Sequence, residues 1–378
     1  MLVAPDSWKG SLTAPDAARR IGAGLREGLA RLGHPDSVVT ELPMADGGEG
    51  TMEVVAARLG GRVVRGTVRD AFGRPRHGRV LILADGRGVV EAAEGPGFIP
   101  AEDRPAPADR ASSAGLADLM RLALSSGASE LVMALGGSGS SDGGSGLLAA
   151  LGAHGAWDAG LQGLDRGARL SLPALPCPVT VWCDVSAPLT GPDGAIRQFG
   201  PQKGLPPDSL PEWDRVMEDW GRALEQAAGR PVAGTAGAGA AGGLGAALAA
   251  LGARLTPGGP QVATVLGLSR AVAGADWVVT GEGRIDRQSL QGKVVGTVLD
   301  EARRHARPVV VVAPQLADGS EAIGDVGAAL FPVLPGPLGP EDAIREAGRL
   351  AEAAGRRLAA WLIMAAPQLR GRDATHEH

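Results

Sequence analysis

The chain has 378 residues, carries 42 acidic against 37 basic side chains for a formal net charge of −5, and contains 59 glycines but two cysteines. That length exceeds one core of ordinary size and predicts two domains, while the charge balance leaves no electrostatic footprint for nucleic acid. Cys177 and Cys183 are too few for a disulfide scaffold or a zinc site and read as small buried hydrophobes.

Asp6 and Lys9 interrupt any apolar leader. The charge-free stretch around 231–252 is too rich in glycine and alanine to span a bilayer. The expectation is a soluble, cytoplasmic protein with no membrane partner.

In chain order, Leu2-Val3-Ala4 reads as a short strand. Thr13 offers an N-cap with Asp16 three residues on, and Ala17, Ile21, Leu25 and Leu29 recur at helical spacing. Val38 to Leu42 is a second strand, followed by an acidic glycine loop and a helix from about Met52 to Leu59. Between 61 and 93, short valine- and leucine-rich runs parted by Gly73-Arg74-Pro75 and Asp85-Gly86-Arg87-Gly88 imply hairpins. A helix near 113–126 leads into the strand Leu131 to Leu135. The alternation of strand and helix resumes with Trp277-Val278-Val279, a helix near 293–305, the run Val309 to Val312 and a last helix near 340–365.

The predicted class is α/β in two domains. A doubly wound domain is built from both chain ends, residues 1–62 and 265–378, and a mixed α+β domain, residues 63–264, is inserted, with Pro and Gly near 256–260 as the return linker.

The glycine excess is clustered, and clustered glycine beside Asp, Ser and Thr lets main-chain amides approach an anion closely. The densest chemistry is Thr280-Gly281-Glu282-Gly283-Arg284-Ile285-Asp286, closed by Lys293, directly after a buried apolar run. In an open α/β sheet, the loop beyond a strand's carboxyl end is where ligands bind. Ala4 to Ser11, holding Ser7 and Lys9, lies between a strand and a helix N-terminus, a position that favours anions. Pro43 to Thr51 presents Asp46, Gly47, Gly48 and Glu49. Gly136-Gly137-Ser138 opens a hydroxyl-rich loop that ends at Asp142. Asp184 ends a strand, and Lys203 sits on a constrained turn. Each loop taken alone is also compatible with an ordinary solvated turn. Gly237, Gly239 and Gly242 match a dinucleotide fingerprint, but the preceding segment is a poor strand and no acid follows at the spacing that would hold a ribose. No Walker loop occurs.

Together these loops resemble the type I glycerate kinase family, whose segments APDSFKGS, PMADGGEGT, GLGGSATNDGG, CDVxNPL, FGPQKG, GAGAAGG and TGEGRIDxQTLxGK have counterparts here in the same order. They begin at Ala4, Pro43, Leu135, Cys183, Phe199, Gly237 and Thr280. The resemblance covers nearly the whole chain. It implies a flavodoxin-like domain joined to a second α/β domain, ATP and Mg²⁺ as cofactors, and phosphorylation of D-glycerate, with 2-phosphoglycerate the favoured product. Departures are Trp8 for Phe, Ser141 for an Asn, Ala187 for a second Asn, Val295 or its neighbour for a Pro, and Ala313-Pro314 where glycine is common.

Under that resemblance, Asp184 and Asp286 take metal or general-base roles and Arg284 meets the substrate carboxylate or the transferring phosphoryl group. Ser7 and Lys9 meet an anion. Asp46, Gly47, Gly48, Glu49, Gly136, Gly137, Ser138, Asp142, Lys203, Gly281, Glu282, Gly283 and Lys293 are substrate- or phosphate-binding candidates. Two alternatives stay open. A nicotinamide-dependent oxidoreductase would require the Gly237 fingerprint to be real, and a catalytically weakened, kinase-like binding protein would follow if the Ser141 and Ala187 changes are damaging.

Overall fold

The structure, a computed structural model, describes residues 1–166, 169–183, 185–290 and 293–365. The strands are β1 (Leu2–Val3), β2 (Thr40–Glu41), β3 (Arg62–Arg69), β4 (Pro75–Ile82), β5 (Arg87–Glu91), β6 (Glu130–Ala134), β7 (Val179–Cys183), β8 (Arg254–Pro257), β9 (Val278–Gly281), β10 (Arg284–Ile285), β11 (Val309–Ala313), β12 (Gln315–Leu316) and β13 (Ala329–Pro332). The chain divides into two compact units, Met1–Ala45 with Ala263–His378, and Asp46–Val262.

The first unit holds a sheet of order β13-β11-β9-β1-β2. Every pairing in it is parallel. Parallel strands are covered on both faces, which is why β9 and β11 read as continuous apolar runs; Val278, Val279 and Val309–Ala313 are all buried. The helix Ala14–Arg31 starts where expected, with the Thr13 hydroxyl accepting from the Asp16 amide at 3.2 Å. Its buried face, including Ile21 and Leu25, shares a core with Leu350, Leu358 and Leu362 of the helix Ala347–Ala365. The two helices approach so closely that a Cβ on Gly24 would lie 2.0 Å from the Glu352 carbonyl oxygen.

The second unit holds a sheet of order β3-β4-β5-β6-β7-β8, antiparallel from β3 to β5 and parallel from β5 to β8. The hairpins expected near 61–93 are there, with Arg62 opposite Ile82. Residues 256–260 are not a linker. Thr256 and Pro257 complete edge strand β8, the Thr256 hydroxyl donating to the Val181 carbonyl at 3.1 Å, and the helix Gly258–Leu266 follows at once. Proline is tolerated there because an edge strand spares one row of amides. The helix Thr51–Leu59 belongs to this unit, whereas the sequence reading placed it with the chain ends. Its Met52 amide donates to the Glu91 carboxylate of β5, a tie that no local pattern announces. Among the described residues, no helix is long and apolar enough to cross a membrane.

Candidate functional site

In the first unit, the loops that follow β1, β9 and β11 leave from the carboxyl ends of parallel strands. The β1 loop is stitched to β9: the Thr280 hydroxyl donates to the Ala4 carbonyl at 2.8 Å, and the Asp6 amide donates to the Gly281 carbonyl at 2.8 Å. Asp6 turns its carboxylate back to the Ser7 amide at 2.7 Å. Ser7 is half-buried and Lys9 exposed, so the β1 loop presents its cation to solvent. A Cβ on Gly281 would meet the Val312 carbonyl oxygen at 1.9 Å, and one on Gly283 would lie 3.1 Å from the Trp8 Cα. The glycines of this motif therefore let three backbone segments close on one another.

Beyond Gly283 the chain pairs again, β10 against β12, with Arg284 opposite Gln315. Arg284, Asp286 and Arg287 line a cavity of about 490 Å³ with Gln315 and Asp318. Asp286 starts a tight turn in which the Ser289 amide donates to its carbonyl and the Ser289 hydroxyl accepts from its amide, both at 3.1 Å. Buried Glu282 stands 4.0 Å from the Lys293 ammonium, too long for a strong ion pair. The structure thus brings Arg284 and Asp286 to one cavity and sets Glu282 with Lys293. Asp184 lies outside the described residues.

In the second unit, the loop Asp46 to Gly50 is fixed at one end by the Asp46 carboxylate, which accepts from the Gly48 amide at 3.1 Å, and leaves Glu49 exposed. Gly136 to Asp142 follows β6, and the loops are adjacent: a Cβ on Gly137 would lie 3.6 Å from that of Glu49. Ser138, Ser140 and Ser141 are buried, and the hydroxyls of Ser140 and Ser141 have no hydrogen-bond partner among the described residues.

Two candidates in this unit are held by hydrogen bonds within the protein. The Asp142 carboxylate is fully buried and accepts from the Ser113 amide at 2.8 Å, the Ser113 hydroxyl at 2.8 Å, the Gly146 amide at 3.0 Å and the Gly144 amide at 3.2 Å. Burial pushes its carboxyl up, and those four donors oppose the shift. Its two oxygens are engaged by these four donors, and the carboxylate thereby shapes the loop. Buried Lys203 donates to the Ser138 hydroxyl at 2.9 Å and to the Ser140 carbonyl at 2.6 Å, bracing the same loop.

The fingerprint Gly237, Gly239 and Gly242 serves packing. Cβ atoms on Gly239 and Gly242 would lie 2.2 Å from the Pro188 carbonyl oxygen and 2.3 Å from the Ser140 carbonyl oxygen. The sequence reading missed Ser113 and Glu91. Ser113 carried no signal, but Glu91 ends an apolar strand and could have been found by the criterion that singled out Asp184.

Among the described residues, no group of three or more His, Cys, Asp or Glu side chains is placed to enclose a metal ion. Mg²⁺ bound through substrate phosphates needs only one or two carboxylates and hard oxygen donors. Asp286 and Asp318, which line the same cavity, supply that number of carboxylates.

Parallel strands ending in glycine-, acid- and hydroxyl-rich loops define an α/β protein with small-ligand loops at its strand ends. The glycerate kinase family model matches residues 1–363. The chain belongs to the glycerate kinase family. The glycerate kinase of Bacillus subtilis (strain 168) is 35% identical, covering 97% of this chain and 98% of its own. The glycerate 2-kinase of Escherichia coli (strain K12) is 36% identical over 88% of this chain and 90% of its own. A crystal structure from Salmonella typhimurium LT2, attributed to a glycerate kinase 2, is similar with a TM-score of 0.79 at 35% identity, covering 97% of this chain and 98% of that one.

Proposed function

We propose that the protein is an ATP-dependent glycerate kinase that transfers the γ-phosphoryl group of ATP to a hydroxyl of D-glycerate, with 2-phosphoglycerate as product. The observation that carries this reading is the family match over residues 1–363 together with the presence of Arg284, Asp286, Glu282 and Lys293 beyond a parallel strand. The 2-position is supported by the Escherichia coli relative's being called a glycerate 2-kinase.

In-line phosphoryl transfer is mostly positioning and charge stabilisation. A carboxylate accepts the hydroxyl proton of glycerate, the freed oxygen forms a bond to the γ-phosphorus, and the bond to the β-phosphate oxygen breaks to release ADP. Asp286 and Asp184 supply base and metal-ligand functions. Arg284 engages the glycerate carboxylate, as a planar guanidinium is suited to do. Ser7, Lys9 and Lys293 meet phosphate oxygens, as do the main-chain amides of residues 46–49, 136–138 and 281–283. Mg²⁺, when bound, neutralises charge on the phosphate oxygens.

Two domains are proposed, the first discontinuous and flavodoxin-like. Numbered among the strands of its five-stranded sheet alone, the order is 2-1-3-4-5, a doubly wound order in which ligands sit at the strand carboxyl ends. A cytoplasmic location completes the proposal.

ADP release coupled to NADH oxidation tests the activity, with purified protein, saturating ATP and Mg²⁺, and D-glycerate as the varied substrate. Release no greater with glycerate than without it would overturn the assignment. Phosphorus NMR of the product separates the 2- from the 3-phosphate.

A further inference from the structure

The loop Asp46 to Gly50 runs into the helix Thr51–Leu59, whose N-cap is Gly50 in the left-handed region at φ 90°, with no side chain to cap the helix. The cap comes from another strand. Glu91, the last residue of β5 and only 3% exposed, accepts from the Gly50 amide at 3.4 Å through one carboxylate oxygen and from the Met52 amide at 2.5 Å through the other. A carboxylate at that point also faces the positive end of the helix dipole. Asp46 secures the start of the loop through the Gly48 amide, so Glu91 secures its end, and Glu49 projects between the two anchors.

We infer that Glu91 is a positioning residue for the glycine–acid loop, holding the amides of residues 46–50 and the Glu49 carboxylate in place for substrate. The functional half of this inference rests on the kinase reading above. The charged groups facing Glu91 are Glu49 of the loop, Glu94 of the following turn and Arg79 of β4. Arg79 is itself bound to Glu94 at 2.6 Å, and the residue opposite Glu91 in β6 is Ala134. No cation is thereby committed to Glu91 alone. Burial pushes its carboxyl up to about 7. The ionised form accepts from both amides, whereas the protonated form must aim a hydroxyl donor at one of them.

The test uses the full chain as wild type, E91Q and E91D. Hydrogen–deuterium exchange of the peptide spanning 44–52 should be about tenfold faster in E91Q, with the peptides of β6 and β7 unchanged. With saturating MgATP, kcat/KM for D-glycerate should fall about tenfold or more through a raised KM. The wild-type rise in kcat/KM through a pH of about 7 should be absent from E91Q and retained in E91D. E91D also serves if E91Q does not fold, since it keeps the charge and shortens the reach. Unchanged exchange over 44–52, or equal loosening across all of residues 46–262, overturns the positioning role. Faster exchange confined to 44–52 in a protein with no glycerate-dependent ADP release supports the positioning and overturns the kinase reading instead.

Discussion

Asp142→Ala removes two oxygens from four donors, the amide and hydroxyl of Ser113 and the amides of Gly144 and Gly146, in a place with no exposed surface. Each stranded buried donor costs about 1–3 kcal/mol. Relief of the carboxylate's own burial offsets part of that sum, leaving an expected net loss of about 4 kcal/mol, in the range for breaking a buried charged network. Asp142→Asn keeps one oxygen for the three donors that share Oδ2 and turns its own N–H group toward the Gly144 amide, so its cost should be nearer about 2 kcal/mol. Urea denaturation followed by tryptophan fluorescence reads both, because Trp220 donates to the Gly143 carbonyl at 2.9 Å, one residue from the perturbation. The reasoning fails if Asp142→Asn lies within about 0.5 kcal/mol of wild type yet loses about 10²-fold or more in turnover. That pattern would return Asp142 to the chemistry.

Asp286→Asn is expected to lower kcat by about 10²-fold or more with its melting temperature unchanged; near-normal turnover would remove it from the chemical step. Gly281→Ala places a methyl group 1.9 Å from the Val312 carbonyl oxygen. It should destabilise the first unit by about 2–3 kcal/mol in thermal denaturation, and a neutral result would mean that β9 and β11 separate at little cost. Because burial raises the Glu91 carboxyl from 4.5 to about 7, the fold holds a proton that the unfolded chain has released between those values. Stability should therefore fall as pH rises across that window, by up to about 3 kcal/mol, and Glu91→Gln should flatten the fall; equal slopes in denaturation midpoints would refute it.

Elements set by local periodicity and punctuation were legible: Thr13 caps its helix, the hairpins fall between residues 61 and 93, and Val309–Ala313 forms a strand. The loops rich in glycine and acid also proved to follow strand carboxyl ends, since strand and loop adjoin in sequence. Strand β8 escaped notice because four residues ending in proline carry the same signs as a linker, and only the partner β7 distinguishes them. The buried partners of Asp142 and Lys203 were illegible for a related reason. An acid in a glycine loop looks alike whether it faces water or four buried donors, and a lysine whether it faces water or buried acceptors; Ser113 lies 29 residues from Asp142, and Ser138 lies 65 from Lys203. Glu91 is 41 residues from Gly50, so its cap is written in no local motif. The glycines at 239 and 242 imitate a nucleotide fingerprint because close backbone approach demands glycine whatever it is for.

Strand β1 of the first sheet is flanked on one side by β2 and on the other by β9, whose residues follow the whole of Asp46–Val262. A ribosome therefore delivers β1, β2 and the helix Ala14–Arg31 long before β9 and the helix Ala347–Ala365 exist. Residues 46–262 are all synthesised before Val278 is made. During that interval the apolar face of Ala17, Ile21, Leu25 and Leu29 has no Ala347–Ala365 helix to cover it. The earliest part of the chain to be synthesised is thus among the last to find its native neighbours, and during translation it is the segment most in need of a chaperone's protection.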